Sequence, residues 1–201
     1  MLTNKLKVLL LIIFSYLSVG CASTNMPPIP TVKQVDLPQF MGDWYVIAAI
    51  PSPIETKAYN AIENYKLEND GTIATTFTFY KDAFDGPLKT YKPRGFIVEN
   101  TGNALWGMQF IWPIKAEYRI AYLDEDYKHT VIARNARDYV WLMARTPQIS
   151  DAKYLEFTQF ISKLGYDTAK LRKVPQSWSG TPREMKSKSK SEVKSETKNA
   201  E

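Results

Sequence analysis

The stretch Ile73-Ala74-Thr75-Thr76-Phe77-Thr78-Phe79-Tyr80 alternates between two kinds of side chain. Ile73, Thr75, Phe77 and Phe79 fall on one parity, and smaller or more polar residues fall on the other until Tyr80. Because successive side chains of a β-strand point to opposite faces, this alternation predicts a half-buried strand. The preceding Asn69-Asp70-Gly71 is typical of a hairpin turn, so the strand is expected to pair with the segment before it.

Similar segments recur along the chain between clusters of Asn, Asp and Gly that favour turns. Counting them predicts eight strands, at roughly 43–50, 59–68, 72–81, 89–99, 105–111, 115–123, 128–134 and 139–145. Serial hairpins favour an antiparallel up-and-down sheet, and eight strands can close into a barrel without exposed edges. The predicted fold class is therefore all-β, an eight-stranded antiparallel up-and-down β-barrel.

One α-helix is predicted after the last strand. Ser150 is the expected N-cap, and Gly165 is the expected stop signal. Between them an apolar stripe at helical spacing is formed by Tyr154, Phe157, Ile161 and Leu164. Such a stripe is expected to pack on the barrel wall as a structural buttress.

The ends of the chain differ from this body. Residues 1–20 have the basic start and the short apolar run of a signal peptide, too short to span a bilayer. Residues 21–35 are expected to form a Pro-rich tether that begins with Cys21, and residues 36–180 the barrel and its helix. The Lys/Ser/Glu composition of residues 181–201 predicts a disordered tail.

Composition excludes several function classes. The chain carries 26 Lys and Arg against 21 Asp and Glu, but bases and acids are nearly balanced in residues 22–180, so no nucleic-acid partner is expected. The single Cys excludes an intrachain disulfide and a Cys-based zinc site. The single His, His129, lies near a turn, and no nucleophile–base constellation accompanies it. Neither an enzyme nor a cofactor is predicted.

Three ordered motifs carry a family resemblance. Gly42-Asp43-Trp44-Tyr45 opens the first strand, and Asp124-Glu125-Asp126-Tyr127 falls in the turn before the seventh. The eighth strand ends at Arg145 in the segment 138–147. Together with eight strands and a C-terminal helix, these motifs resemble the lipocalins, and in particular the bacterial outer-membrane lipoprotein branch.

The resemblance implies a structural signature and a location. The signature comprises Gly42, Trp44, Asp126, Tyr127 and Arg145. Trp44 is expected to plug the closed end of the barrel with Arg145 lying across its indole, a cation–π contact. The small residues before Cys21 resemble a lipobox, which implies a lipid attached there and an outer-membrane protein facing the periplasm. The expected state is a monomer or weak homodimer.

The barrel lumen is the predicted ligand site. Counting alternation outward from Trp44 places Val46 and Ala48 inside, and Tyr122 is predicted inside from the pattern of its own strand. The predicted ligand-binding set is Phe77, Phe79, Trp106, Met108, Phe110, Tyr118, Tyr139 and Trp141. Apolar walls with few hydroxyls suit an acyl chain. The resemblance implies a fatty acid or lysophospholipid, bound for storage or transport.

Two alternatives remain open from the sequence. An eight-stranded barrel can also be filled by its own side chains. The chain would then be a structural or assembly lipoprotein of the envelope without a ligand. An enzyme acting on lipids is a more distant alternative. Trp112-Pro113 resembles a loop at the barrel mouth, where Trp112 is expected to gate the opening or contact the membrane.

Overall fold

The computed structural model describes residues 26–178. The predicted signal peptide, Cys21 and the predicted tail 181–201 lie outside the described residues. Within the described range the chain forms ten strands and two α-helices. In chain order they are α1 Leu37–Phe40, β1 Gly42–Ile50, β2 Ala58–Leu67, β3 Ile73–Lys81, β4 Leu88–Tyr91, β5 Arg94–Ile97, β6 Leu105–Ile111, β7 Ile114–Leu123, β8 His129–Ala133, β9 Val140–Ala144, α2 Asp151–Lys163, and β10 Arg172–Lys173 after a 3-10 turn at Thr168–Lys170.

The strands form a closed barrel. Each strand from β1 to β9 pairs antiparallel with its neighbour in the sheet, and β9 pairs back onto β1. The predicted fourth strand is split into β4 and β5, which both pair with β3. Pro93 lies between them and has no backbone N–H to donate to a ladder. The prediction of an eight-stranded up-and-down barrel with one C-terminal helix is confirmed, and β10 is a short addition beside β1.

Two apolar cores share the barrel wall. One fills the closed half of the lumen around Trp44 and Trp106. The other lies outside, between the wall and α2, where Phe157 and Ile161 are buried. The Ser150 hydroxyl accepts a hydrogen bond from the Lys153 amide at 3.2 Å. Ser150 therefore caps the helix as predicted. The apolar stripe of α2 packs on the barrel wall, which is the predicted buttress role.

Two predicted inward residues point outward. Ala48 packs in the core beneath α2, while Val46 and Ala49 face the lumen. Tyr122 contacts Phe157 of α2 at a ring-centroid distance of 5.1 Å. The register of β1 shifts between Val46 and Ala48, and that of β7 shifts between Ile120 and Tyr122. An irregularity of this kind adds a residue to one strand and reverses the faces beyond it.

Residues 26–35 differ from a free tether. They contain no helix, as their prolines predict, but they pack along the barrel. Ile29 and Val35 are buried. The amide of Val32 donates to the carbonyl of Ile120 at 3.0 Å, and that of Val35 donates to Gly102 at 2.8 Å. Two buried apolar side chains and paired backbone groups explain why this segment belongs to the barrel.

None of the helices within residues 26–178 is both long and apolar enough to cross a membrane.

Candidate functional site

The closed end of the barrel is built around Trp44. Its side chain is fully buried, and its indole N–H donates to the carbonyl of Phe40 at 2.9 Å. The guanidinium of Arg145 lies 3.8 Å from the centre of the indole ring. This is the arrangement expected from the first and third motifs, and it closes one end of the lumen with aromatic and cationic groups.

Arg145 also ties together the segments that converge on this end. Its guanidinium donates to the carbonyls of Gln39, Phe40 and Asp43 at distances of 2.8–3.0 Å. Burial lowers the pKa of Arg145 to about 10, partly offset by the charge of Asp43. The group therefore stays charged at neutral pH, so the cation–π contact and the hydrogen bonds persist there.

The remaining signature residues make structural contacts near the closed end. Gly42 adopts a φ of +94°, a left-handed conformation that favours glycine, beside the guanidinium of Arg145. The Tyr127 hydroxyl accepts a hydrogen bond from the amide of Asp36 at 2.8 Å. Asp126 forms an exposed ion pair with Lys128. None of these residues lines the lumen, and their contacts are structural.

The opposite end of the barrel opens into a cavity of about 400 Å³. Six of the eight predicted ligand-binding residues line it: Phe77, Met108, Phe110, Tyr118, Tyr139 and Trp141. Phe79 and Trp106 are inward but buried in the core around the cavity. The Trp106 ring stacks on Tyr118 with centroids 5.0 Å apart, so Trp106 supports the inner wall of the cavity.

The β6–β7 hairpin forms part of the mouth. Phe110 lines the cavity as predicted, and its 50% exposure places it at the rim. The register of β6 against β7 shifts between Met108 and Ile111. Trp112 is 82% exposed beside Ile111 and Ile114, which are also exposed. The expectation that Trp112 gates the opening or contacts the membrane stays a prediction.

Sequence reasoning missed three glutamates that line the cavity, Glu55, Glu63 and Glu117. Glu117 is hydrogen-bonded to Arg119 and Asn135. Glu55 is buried in the loop after β1, and its Oε1 accepts hydrogen bonds from the Ser52 amide at 2.9 Å and from the Trp141 indole at 3.1 Å. Burial raises the pKa of Glu55 despite these bonds. Trp141 is thereby fixed at the cavity wall.

Glu63 lies on β2, directly opposite Phe77 on β3. Burial, and then the nearby charge of Glu55, raise the pKa of Glu63 to about 8. The Tyr65 hydroxyl donates to the Glu63 carboxylate and lies 2.6 Å from the Tyr118 hydroxyl. The signal in the sequence was parity, because Glu63 is two residues from the inward aromatic Tyr65.

Asp124 and Asp82 form contacts in and near turns. The Asp124 carboxylate accepts from the amides of Lys128 and His129 and lies 2.7 Å from the His129 ring nitrogen. Asp82 pairs with Lys57 at 3.4 Å on the surface. Across residues 26–178, no cluster of His, Cys, Asp and Glu has an arrangement suited to a metal ion.

Sequence comparison assigns most of the barrel and its helix to a known domain family. Residues 35–176 match a family described as a lipocalin-like domain. Temperature-induced lipocalin-1 of Arabidopsis thaliana is 31% identical over 168 residues, covering 77% of this chain and 86% of the relative. Outer membrane lipoprotein Blc of Escherichia coli K12 is 26% identical over 163 residues, covering 81% of this chain and 92% of that protein.

Solved structures share the fold at low sequence identity. Apocrustacyanin C2 superposes with a TM-score of 0.59 at 12% identity, covering 80% of this chain and 98% of that one. Insecticyanin from the tobacco hornworm Manduca sexta gives a TM-score of 0.59 at 15% identity, covering 75% and 86%. These similarities concern the barrel itself, and the ligand must be argued from the cavity.

Proposed function

This chain belongs to the lipocalin family, whose members bind small hydrophobic ligands, and we propose that its barrel stores or carries a single-chain lipid in the cell envelope. The expected ligand classes are fatty acids and lysophospholipids. The proposal is one of binding without catalysis and without a cofactor. The observation that carries it is the cavity at the open end of the barrel.

The walls of that cavity suit an acyl chain. Phe77, Met108 and Trp141 supply apolar surface, and the volume of about 400 Å³ falls within the range of ordinary small-molecule sites. A barrel filled by its own side chains would leave no space of this size. The cavity therefore favours a carrier over the alternative of a structural or assembly lipoprotein with a packed barrel.

The envelope location is proposed from the N-terminal sequence and from the relatives. Four relatives carry the name outer membrane lipoprotein Blc and are 25–27% identical to this chain. We propose that Cys21 carries a lipid anchor and that the barrel faces the periplasm. Cell fractionation of the Cys21→Ala variant tests the anchor. The variant is expected in the soluble fraction, and retention in the membrane pellet would contradict lipid attachment at Cys21.

A chain-length series tests ligand binding. The unlipidated Cys21→Ala protein needs no detergent, which would compete for the cavity. Each CH₂ removed from water contributes at most about 0.8 kcal/mol, or about fourfold in affinity. Titration with saturated single-chain lipids, followed by the fluorescence of Trp141, should show affinity that rises with length and levels off when the cavity is full. No binding at any length would refute the carrier function.

A further inference from the structure

The inner end of the cavity is polar, unlike its walls. Four residues define what we call the polar floor: Glu63, Tyr65, Thr75 and Tyr118. Glu63, Thr75 and Tyr118 line the cavity, and Tyr65 is buried directly opposite Thr75 in the β2–β3 ladder. Opposite residues of an antiparallel pair have Cβ atoms about 4.5–5.5 Å apart. Trp106 packs against both tyrosines, which places the floor just above the aromatic plug.

Hydrogen bonds link the polar groups of the floor. Tyr65 donates to one carboxyl oxygen of Glu63, and its hydroxyl lies 2.6 Å from the hydroxyl of Tyr118. The second carboxyl oxygen of Glu63 has no partner within residues 26–178 and remains available to a ligand.

Thr75 supplies an independent sign that a ligand group is missing. The residue is only 3% exposed, and its hydroxyl makes no hydrogen bond to any described residue. A buried hydroxyl without a partner is costly, and most such groups in proteins are satisfied. Thr75 lines the cavity, so a polar atom of a bound molecule can supply the missing partner.

The floor offers no counter-charge to an anionic partner. Glu55 and Glu63 both face the cavity, and neither forms an ion pair with a Lys or Arg of the described residues. Of the bases at the cavity, Lys92 is exposed and Arg134 lies 3.1 Å from the carboxylate of Asp138. A ligand carboxylate at the floor would be buried without a counter-charge, which is unfavourable.

We propose that the polar floor binds the uncharged hydroxyl head of a long-chain lipid, such as a long-chain alcohol or a monoacylglycerol, and disfavours a carboxylate. This preference rests on the function proposed above and narrows its ligand. The hydroxyl donates to the free oxygen of Glu63 or accepts from Thr75, and the alkyl chain extends toward Phe77 and Trp141. At neutral pH Glu63 is protonated, because its raised pKa is about 8, so the floor itself is uncharged.

Three ligands that share one alkyl chain test the preference. Dodecanol, dodecanoate and dodecylammonium are titrated at pH 7 into unlipidated Cys21→Ala protein, with Trp fluorescence as the signal. Dodecanol is expected to bind roughly tenfold or more tightly than dodecanoate. Dodecylammonium is expected to bind less tightly than dodecanol, because protonated Glu63 offers it no counter-charge.

Two variants locate the preference in the floor. Thr75→Val removes the hydroxyl while keeping the side-chain shape, and should weaken dodecanol binding roughly 2- to 10-fold. Thr76→Val makes the same change on the opposite face of β3 and should leave binding unchanged. Equal effects of the two variants would overturn the assignment of Thr75.

The pH dependence isolates Glu63. Raising the pH from 7 to 9 ionises Glu63, so dodecanoate affinity should fall further, and Glu63→Gln should remove that fall. The titratable groups that interact with Glu63 are Glu55, Tyr65 and Tyr118. Glu117 also lines the cavity, and its carboxylate is hydrogen-bonded to Arg119 and Asn135. Burial raises the pKa of Tyr118 well above its ordinary value, so Tyr118 does not contribute in this range. A fall that persists in Glu63→Gln would assign it to Glu55 and contradict the proposed role of Glu63.

The outcomes separate this preference from the carrier function. Two results for the wild-type protein would contradict the preference: equal binding of the three ligands, or tightest binding of dodecanoate or dodecylammonium. Either result would show that the hydroxyl preference is wrong, while the proposal of lipid carriage would remain supported. If none of the three binds and the chain-length series also shows no binding, both proposals fail. The comparison of the three head groups uses the wild-type cavity, so it tests the hydroxyl preference even if a floor variant does not fold.

Discussion

Replacing Glu63 with Gln should make the stability of the barrel less dependent on pH. In the unfolded chain this carboxyl ionises near its ordinary pKa of 4.5, but in the barrel its pKa is about 8. Between these values the unfolded state binds fewer protons, so the stability of the wild-type protein falls as pH rises. Below the lower value both states are protonated, and above the upper value the cost is constant.

The size of the effect follows from the two pKa values. Each pH unit in that window costs about 1.4 kcal/mol, which gives an upper limit of about 5 kcal/mol at pH 8. The Glu63 side chain is partly exposed to the cavity, so water relieves part of the cost. We expect Glu63→Gln to gain about 1–3 kcal/mol relative to wild type between pH 5 and pH 8.

Urea denaturation at a series of pH values measures this gain. Glu99→Gln is the matched control, because Glu99 is exposed and the same charge is removed. The difference between Glu63→Gln and wild type should grow with pH, and that of the control should stay flat. A difference that does not change with pH, or one that shrinks as pH rises, would refute the burial of a protonated carboxyl at Glu63.

Three further substitutions test the parts of the barrel. Trp44→Ala should cost roughly 3–5 kcal/mol of unfolding free energy, and a double-mutant cycle with Arg145→Ala should give a coupling of about 0.5–2 kcal/mol; losses that simply add would mean that the pair does not interact. Phe157→Ala should cost roughly 3–5 kcal/mol in thermal or urea unfolding, because this side chain fills the core between α2 and the barrel; a neutral result would show that the helix does not stabilise the fold. Phe110→Asp should remain folded by circular dichroism, because Phe110 is half exposed at the mouth, but should bind lipid more weakly; an unfolded variant would contradict that placement.

The strands were predictable because their alternation is strong. Phe77 and Trp106 lie inside, as the parity of their segments predicts, and apolar spacing predicted the buried face of α2. The contact of Trp44 with Arg145 was predictable only through the family resemblance. The two positions lie about a hundred residues apart in sequence, and periodicity does not reveal which distant residues meet.

Strand alternation predicted the wrong face of the barrel where strands change register. Ala48 and Tyr122 were placed inside the barrel, but both lie beyond a register shift and face α2. A bulge is a local backbone feature that leaves no necessary signature in the side-chain pattern. The split of the fourth strand has a visible cause in the sequence, because Pro93 cannot donate a backbone hydrogen bond.

The position of Glu63 in the cavity could not be predicted from the sequence for a different reason. An acidic residue in a strand is ordinarily exposed, because burying its charge is costly. The cost at Glu63 is reduced by protonation, and protonation depends on burial and on Glu55, a residue in a distant loop. Ile29 and Val35 were similarly assigned to a tether because prolines surround them, although their apolar side chains pack on the barrel.

The central claim is that a lipid occupies the barrel cavity, and native mass spectrometry of the unlipidated protein tests it directly. After incubation with a single-chain lipid, the wild-type barrel should retain one lipid per chain. Ala116→Trp fills the cavity that Ala116 lines and should abolish this adduct, whereas Thr76→Trp on the outer face should not. An unchanged apo mass for the wild-type barrel, or equal lipid retention by Ala116→Trp and Thr76→Trp, would contradict the account.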